Sequence, residues 1–110
     1  EGMAAGELKH GTLALISKGT PVIAICPHDF TFAESISNVM ETKARGAFVI
    51  GCSDEENPAF DALIRIPKVE EHHFPIVFSI PLQFLAYHTS VLRKNNPDRP
   101  RNLAKSVTVK

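Results

Sequence analysis

The chain has 110 residues, 44% hydrophobic and 22% charged, with twelve basic and twelve acidic side chains and no net charge. That is one domain's worth of chain, with enough apolar content for a core. The balance excludes a disordered polyelectrolyte and a collagen-like fibre, and it gives no global attraction to nucleic acid or an anionic membrane.

The opening "EGMAAGELKHG" has no initiator Met, no basic leader and no long apolar run. It reads as a start in mid-domain. "GELKHGTLALI" predicts a short helix over residues 7–16, with Leu8, Leu13 and Ile16 inward. "PVIAIC", residues 21–26, is β-branched and apolar and predicts a buried strand. "TFAESISNVMETKARG" then predicts a helix. Thr31 and Glu34 have the spacing of a capping box. Phe32, Ile36, Val39, Met40 and Lys43 form one stripe, and Gly46 is the stop signal. "AFVIGC", residues 47–52, predicts a second buried strand, and "ALIRIP", residues 62–67, a shorter third. Continuous apolar strands separated by a helix belong in a parallel sheet covered on both faces.

Residues 70–95, "EEHHFPIVFSIPLQFLAYHTSVLRKN", are apolar almost all round and predict a buried helix. Pro75 suits a first turn, and Pro81 predicts a kink or restart. A membrane span is disfavoured, because Ser79, Gln83 and His88 break the apolar stretch below the ~20 residues a span needs. "NNPDRP", residues 95–100, is a turn-rich linker to the tail "PRNLAKSVTVK". From residue 93 onward there are six basic side chains and one acid, Asp98, so a basic tail follows an acidic body.

Together these elements predict an α/β fold: a partial doubly wound parallel sheet sandwiched by helices, with an extended C-terminal tail. Residues 1–95 form the domain portion and residues 96–110 the tail. Three strands are few for such a sheet, so at least one strand and one helix are expected upstream.

The candidate chemistry is sparse. "PHDF" after the first strand is no glycine-rich phosphate cradle. Cys26 and Cys52 lie in apolar runs with no metal spacing, and read as reduced, buried thiols of a cytoplasmic protein. No metal site and no cofactor are expected. His72 and His73, adjacent on a helix, point about 100° apart and do not share an ion easily. His28 ends a strand, where open sheets bind ligands. His88 reads as a core or interface histidine. Two residues remain open to either a solvated or a catalytic reading. His10 suits proton transfer near neutrality, and Lys105 suits attack on a carbonyl if burial or Arg101 favours its neutral form.

"AAGELKHG", "IPLQFLAYH" and "PRNLAKSVTV" resemble the C-terminal part of the glutamine–fructose-6-phosphate aminotransferase (isomerising) family. The resemblance covers the whole chain. It implies the second sugar-isomerase (SIS) domain of that family, whose members convert fructose 6-phosphate and glutamine-derived ammonia to glucosamine 6-phosphate, towards UDP-N-acetylglucosamine. On that resemblance Lys105 forms a Schiff base with the open-chain sugar. His10 assists ring opening in the neighbouring subunit's site, which implies a homodimer. Ala104 approaches the sugar, while Arg101, Asn102 and Leu103 belong to a tail that closes the site and lines the ammonia route. The glutaminase domain, the first SIS domain, the phosphate-gripping loops and the proton-moving glutamate are expected outside this chain, which is expected to be inactive alone. The family pattern is "HGP" and a terminal glutamate, whereas here Thr12 follows Gly11 and Lys110 ends the chain. The alternatives are a non-catalytic SIS-type phosphosugar-binding or regulatory module, and a related SIS deglycase.

Overall fold

The computed structural model describes residues 1–101, so the predicted site residues Asn102, Leu103, Ala104 and Lys105 lie outside the described residues. Two compact units, Glu1–Phe78 and Ser79–Lys110, divide the chain.

The first unit is built on a parallel sheet of three strands: β1 (Pro21–Ile25), β2 (Phe48–Ser53) and β3 (Ala62–Arg65), in that order. Pro21 pairs with Phe48 and Ile25 with Cys52, while Ile50 pairs with Ala62 and Ser53 with Arg65. Helix α1 (Phe32–Ala44) connects β1 to β2. Its residues Val39, Phe32 and Ile36 pack with Val22, Ala24, Cys26, Val49 and Phe60 on one face of the sheet. Side chains alternate along a strand, so Val49 and Cys52 point to opposite faces. Cys52 joins Ile64, Ile66 and the opening of helix α2 (Phe74–Leu92), through Phe74, Val77 and Phe78. The sheet is therefore sandwiched, as the apolar strands predict. Ile23 and Ile25 stay about half exposed on β1, an edge strand.

Local chemistry corrects three expectations. Residues 7–16 do not form one helix. Two short 3-10 turns, Ala5–His10 and Thr12–Leu15, meet at Gly11, whose φ of 150° breaks the helical path. Leu13 is buried, and Leu8 and Ile16 are partly so. The capping box does not form either. Asp29 Oδ1 accepts both the Thr31 N–H at 2.8 Å and the Thr31 hydroxyl at 2.7 Å. The Asp29 carboxylate, two residues earlier, thus takes the Thr31 N–H that Glu34 would accept in a capping box, and holds the Thr31 hydroxyl as well, so Thr31 makes no side-chain cap bond. On the helix stripe, Met40 is half exposed and Thr42 takes the fully buried position, its hydroxyl donating to the Val39 carbonyl at 2.7 Å.

The C-terminus of α1 follows the sequence. Gly46 has φ 88°, its N–H reaches the Lys43 carbonyl, and the Ala47 N–H reaches the Thr42 carbonyl. That pair of bonds is the Schellman arrangement. A Cβ on Gly46 would meet the Lys18 backbone at 3.0 Å. Gly51 is tighter. A Cβ there would lie 2.4–2.6 Å from the root of the Phe60 ring, so β2 needs glycine at the point where Phe60 lies flat on the sheet.

The Asp61 carboxylate holds the amino end of the sheet. It accepts the Val49 N–H at 2.8 Å and faces Lys43 Nζ at 3.1 Å. The Val49 bond first and the Lys43 ammonium second hold its pKa below the usual 3.8.

Helix α2 departs from expectation in burial. Among its residues only Phe78 is fully buried, while Phe84 is 60% and Leu92 83% exposed. The described residues cover only a small part of its apolar surface. His88 is exposed and not a core residue; its ring stacks on Phe84 at 6.3 Å and meets Tyr87 edge-on at 5.3 Å. Pro75 lies in the first turn as expected, and the helix continues through Pro81. The 22 residues Glu71–Leu92 are long and apolar enough, by length and composition, to cross a membrane, so shortness is no ground against a span. In the second unit α2 is followed by Lys94 at φ 59° and a turn in which Asn96 Oδ1 accepts the Asp98 N–H.

Two outcomes are expected. Gly51→Ala costs about 1–3 kcal/mol in urea denaturation, because the Phe60 ring must move. Gly2→Ala, with open space around it, is the neutral control. The Asp61 contribution is fully present above about pH 4 and is lost as pH falls through the lowered pKa. Asp61→Asn should therefore flatten the acid limb of the stability profile and leave its alkaline side unchanged.

Candidate functional site

Two regions carry polar side chains placed by the fold. The first is the carboxyl edge of the sheet, where open parallel sheets bind ligands. The ladder continues past β1, as the Cys26 N–H reaches the Cys52 carbonyl at 2.9 Å. The His28 N–H then reaches buried Asp54 at 3.0 Å, which lays the two strand ends side by side. His28 Nε2 stands 3.6 Å from Glu55, and its ring meets Phe32 edge-on at 4.9 Å. Glu55 also takes Lys68 at 3.2 Å, and Arg65 pairs with Glu56 and reaches the Asp54 carbonyl. This rim is charged and internally paired. His28 was legible as a strand-end residue. Asp54, Glu55 and Lys68 were not singled out, although three acids directly after a strand were the available signal.

Beneath the rim lie Cys26 and Cys52, free and buried. Burial pushes both thiols up to about 11, and for Cys26 the neighbouring Cys52 adds to it. Neither is a nucleophile near neutral pH. Beside β3, an open groove of about 460 Å³ is lined by Glu56, Pro58, Phe60, Asp61 and Leu63.

The second region is the N-terminal arm. His10 is exposed at the end of the first 3-10 element, and its side chain makes no hydrogen bond or ion pair with another described residue. Its neighbours are fixed. Lys9 pairs with Glu41 of α1 at 2.8 Å, the Thr12 hydroxyl donates to Met3 Sδ at 2.8 Å, and Leu13 is buried. Arg101 is exposed in a turn. The described residues thus present His10 on an anchored arm and do not bring it to a second catalytic group.

One set of side chains has ligand-like spacing. Glu70, His72 and His73 place one donor atom each within 4.8 Å of the others. The two imidazoles lean together, with centroids 3.9 Å apart. The expected divergence on a helix does not hold, because the pair sits on a single 3-10 turn and Cβ direction alone does not fix where the ring nitrogens lie.

Known proteins match the chain along nearly its whole length. The SIS domain model matches residues 1–93, α2 included. The chain is 56% identical to the glutamine–fructose-6-phosphate aminotransferase (isomerizing) of Thermococcus kodakarensis, over 99% of this chain and 18% of that protein. It is 56% identical to the protein of that name from Pyrococcus horikoshii, over 99% of this chain and 19% of the relative. With the Agrobacterium fabrum protein of the same name the identity is 52%, over 99% of this chain and 19% of the relative. The chain thus spans less than a fifth of the curated relatives it matches. Among solved structures, the C-terminal domain of glucosamine-fructose-6-phosphate aminotransferase from Francisella tularensis superposes with a TM-score of 0.78 at 34% identity, covering 86% of this chain and 28% of that one.

The thiols give a test. Two pKa units of elevation leave about 100-fold less thiolate at pH 8. Iodoacetamide should therefore label Cys26 and Cys52 at least about 100-fold more slowly in the folded chain than in urea. Equal rates in the two states would show that the thiols are not held as described.

Proposed function

The chain belongs to the SIS domain family, and on that premise we propose that it acts as the C-terminal portion of a glutamine–fructose-6-phosphate aminotransferase. The observation that carries this reading is 56% identity maintained across 99% of the chain. Residues 1–95 serve as the C-terminal part of the SIS domain and residues 96–110 as the tail that closes over the sugar. The product is glucosamine 6-phosphate, and the rest of the machinery is supplied by other segments and by a second subunit. Free, buried cysteines support a cytoplasmic setting.

In this reading the Lys105 amine attacks the C2 carbonyl of open-chain fructose 6-phosphate. A C–N bond forms, water leaves, and a Schiff base results. The iminium withdraws electrons and eases proton movement between C1 and C2. His10 moves the proton that opens the sugar ring. The anchoring at Lys9 and Leu13 supports that role, since proton transfer depends on a held geometry. Arg101, Asn102, Leu103 and Ala104 belong to the closing tail, which excludes water and keeps ammonia from escaping.

Borohydride reduction in the presence of fructose 6-phosphate should attach the sugar to Lys105 in the assembled enzyme and leave the isolated chain unlabelled. Lys105→Arg should abolish the adduct. His10→Ala should lower synthesis by about 10²–10⁴-fold. No adduct in the assembled enzyme would sink the Schiff-base role. Retained sugar binding without activity in any assembled form would instead favour a non-catalytic SIS module.

A further inference from the structure

We propose that Glu70, His72 and His73 form an open surface site for a borderline divalent cation of the Zn²⁺ type, at the turn where the chain enters α2. The backbone fixes the frame. Glu70 is extended, and the His73 N–H returns to the Glu70 carbonyl at 2.9 Å, closing a single 3-10 turn. Glu70 and His73 thus lie three residues apart and face the same side of that turn.

Spacing favours an ion over a direct bond. His72 Nδ1 is 3.6 Å from Glu70 Oε2, longer than the ~3.2 Å limit of an N–H···O hydrogen bond. Two ligands on a tetrahedral zinc, each about 2.0–2.1 Å from the metal, lie about 3.3–3.4 Å from each other. The third donor is also within 4.8 Å, so small side-chain rotations complete the set. The imidazoles, tilted by 43° at 3.9 Å, are not arranged as a tight stack.

The donor set selects the ion. Two imidazoles and one carboxylate suit Zn²⁺, Ni²⁺ or Cu²⁺, whereas Ca²⁺ and Mg²⁺ require oxygen ligands. Three protein ligands leave a fourth position for water. All three side chains are exposed, so an ion needs no opening motion and no buried charge is created. A dication is disfavoured near a helix N-terminus, and the carboxylates of Glu70 and the adjacent Glu71 offset that repulsion. Once bound, the metal links the residue before the turn to the two that end it, and fixes the start of α2.

The test is titration of ZnCl₂ into the chelator-treated chain by calorimetry, with histidine ring shifts followed by NMR. The expected result is one saturable ion per chain, with the His72 and His73 ring signals moving together in the unaltered protein. Loss of an outer partner of a metal ligand already costs about 10–100-fold in affinity, so His72→Ala and His73→Ala should each weaken binding at least tenfold. Glu70→Gln should weaken it as well, and His88→Ala should leave it unchanged. Absence of saturable binding, binding that survives the double His72/His73 replacement, or ring shifts confined to other histidines would each overturn the proposal. Circular dichroism of every variant separates loss of the site from loss of the fold.

Discussion

One carboxylate joins three elements. Asp61 accepts the Val49 N–H while its own N–H donates to the Val49 carbonyl, at 2.8 Å each. Its other oxygen faces Lys43 in the last turn of α1, and Lys43 also reaches the Pro58 and Ala59 carbonyls at 3.2 Å. The end of α1, the start of β2 and the approach to β3 thus meet at a single point. Parallel strands in register carry that alignment forward. By the far end of the sheet, Cys26 is paired with Cys52 and Ile66 with Ser53, and the strand ends carrying His28, Asp54 and Glu55 stand together. On the β2–β3 side, the alignment that ends at the polar rim is therefore continuous with the contacts at the opposite end of the sheet.

The strands and α1 were legible because their signals are local and redundant. Apolar runs, a helical stripe and Gly46 all specify the same boundaries. The misreadings arose where two chemistries compete for one role. Thr31 and Glu34 have the correct spacing for a cap, but Asp29 offers its charge to the Thr31 N–H in place of Glu34. Met40 was the more apolar residue, but Thr42 fits the buried position and satisfies its hydroxyl on its own helix. Helix α2 illustrates a different limit. Its composition says what surface ought to be covered and carries no information on what covers it.

The candidate site was less legible than the fold, for a physical reason. Catalytic groups in a sheet-and-helix domain come from separate loops, and a single lysine or histidine has no periodicity to reveal it. His10 and Lys105 stood out from the pattern only weakly, and gained roles through resemblance to a family. The paired acids and bases at the carboxyl edge depend on strand register, which no local motif encodes. The Glu70, His72 and His73 cluster is hidden in the sequence because α-helix geometry separates two adjacent histidines that lie on a tighter turn.

The arm that carries His10 shows how little chain is needed to hold an exposed residue still. Gly11 adopts φ 150°, which L-residues rarely adopt, so the chain turns immediately after the histidine. On one side Lys9 is tied to Glu41 of α1, and on the other Leu13 is sunk into the protein. The ion pair alone is worth little, since both partners reach solvent. Burial of Leu13 and the restricted turn at Gly11 supply the rest, and neither involves the imidazole. The ring is thus left exposed while the backbone beneath it is constrained. The proton-transfer role proposed for His10 calls for that division, a fixed backbone and an uncommitted ring.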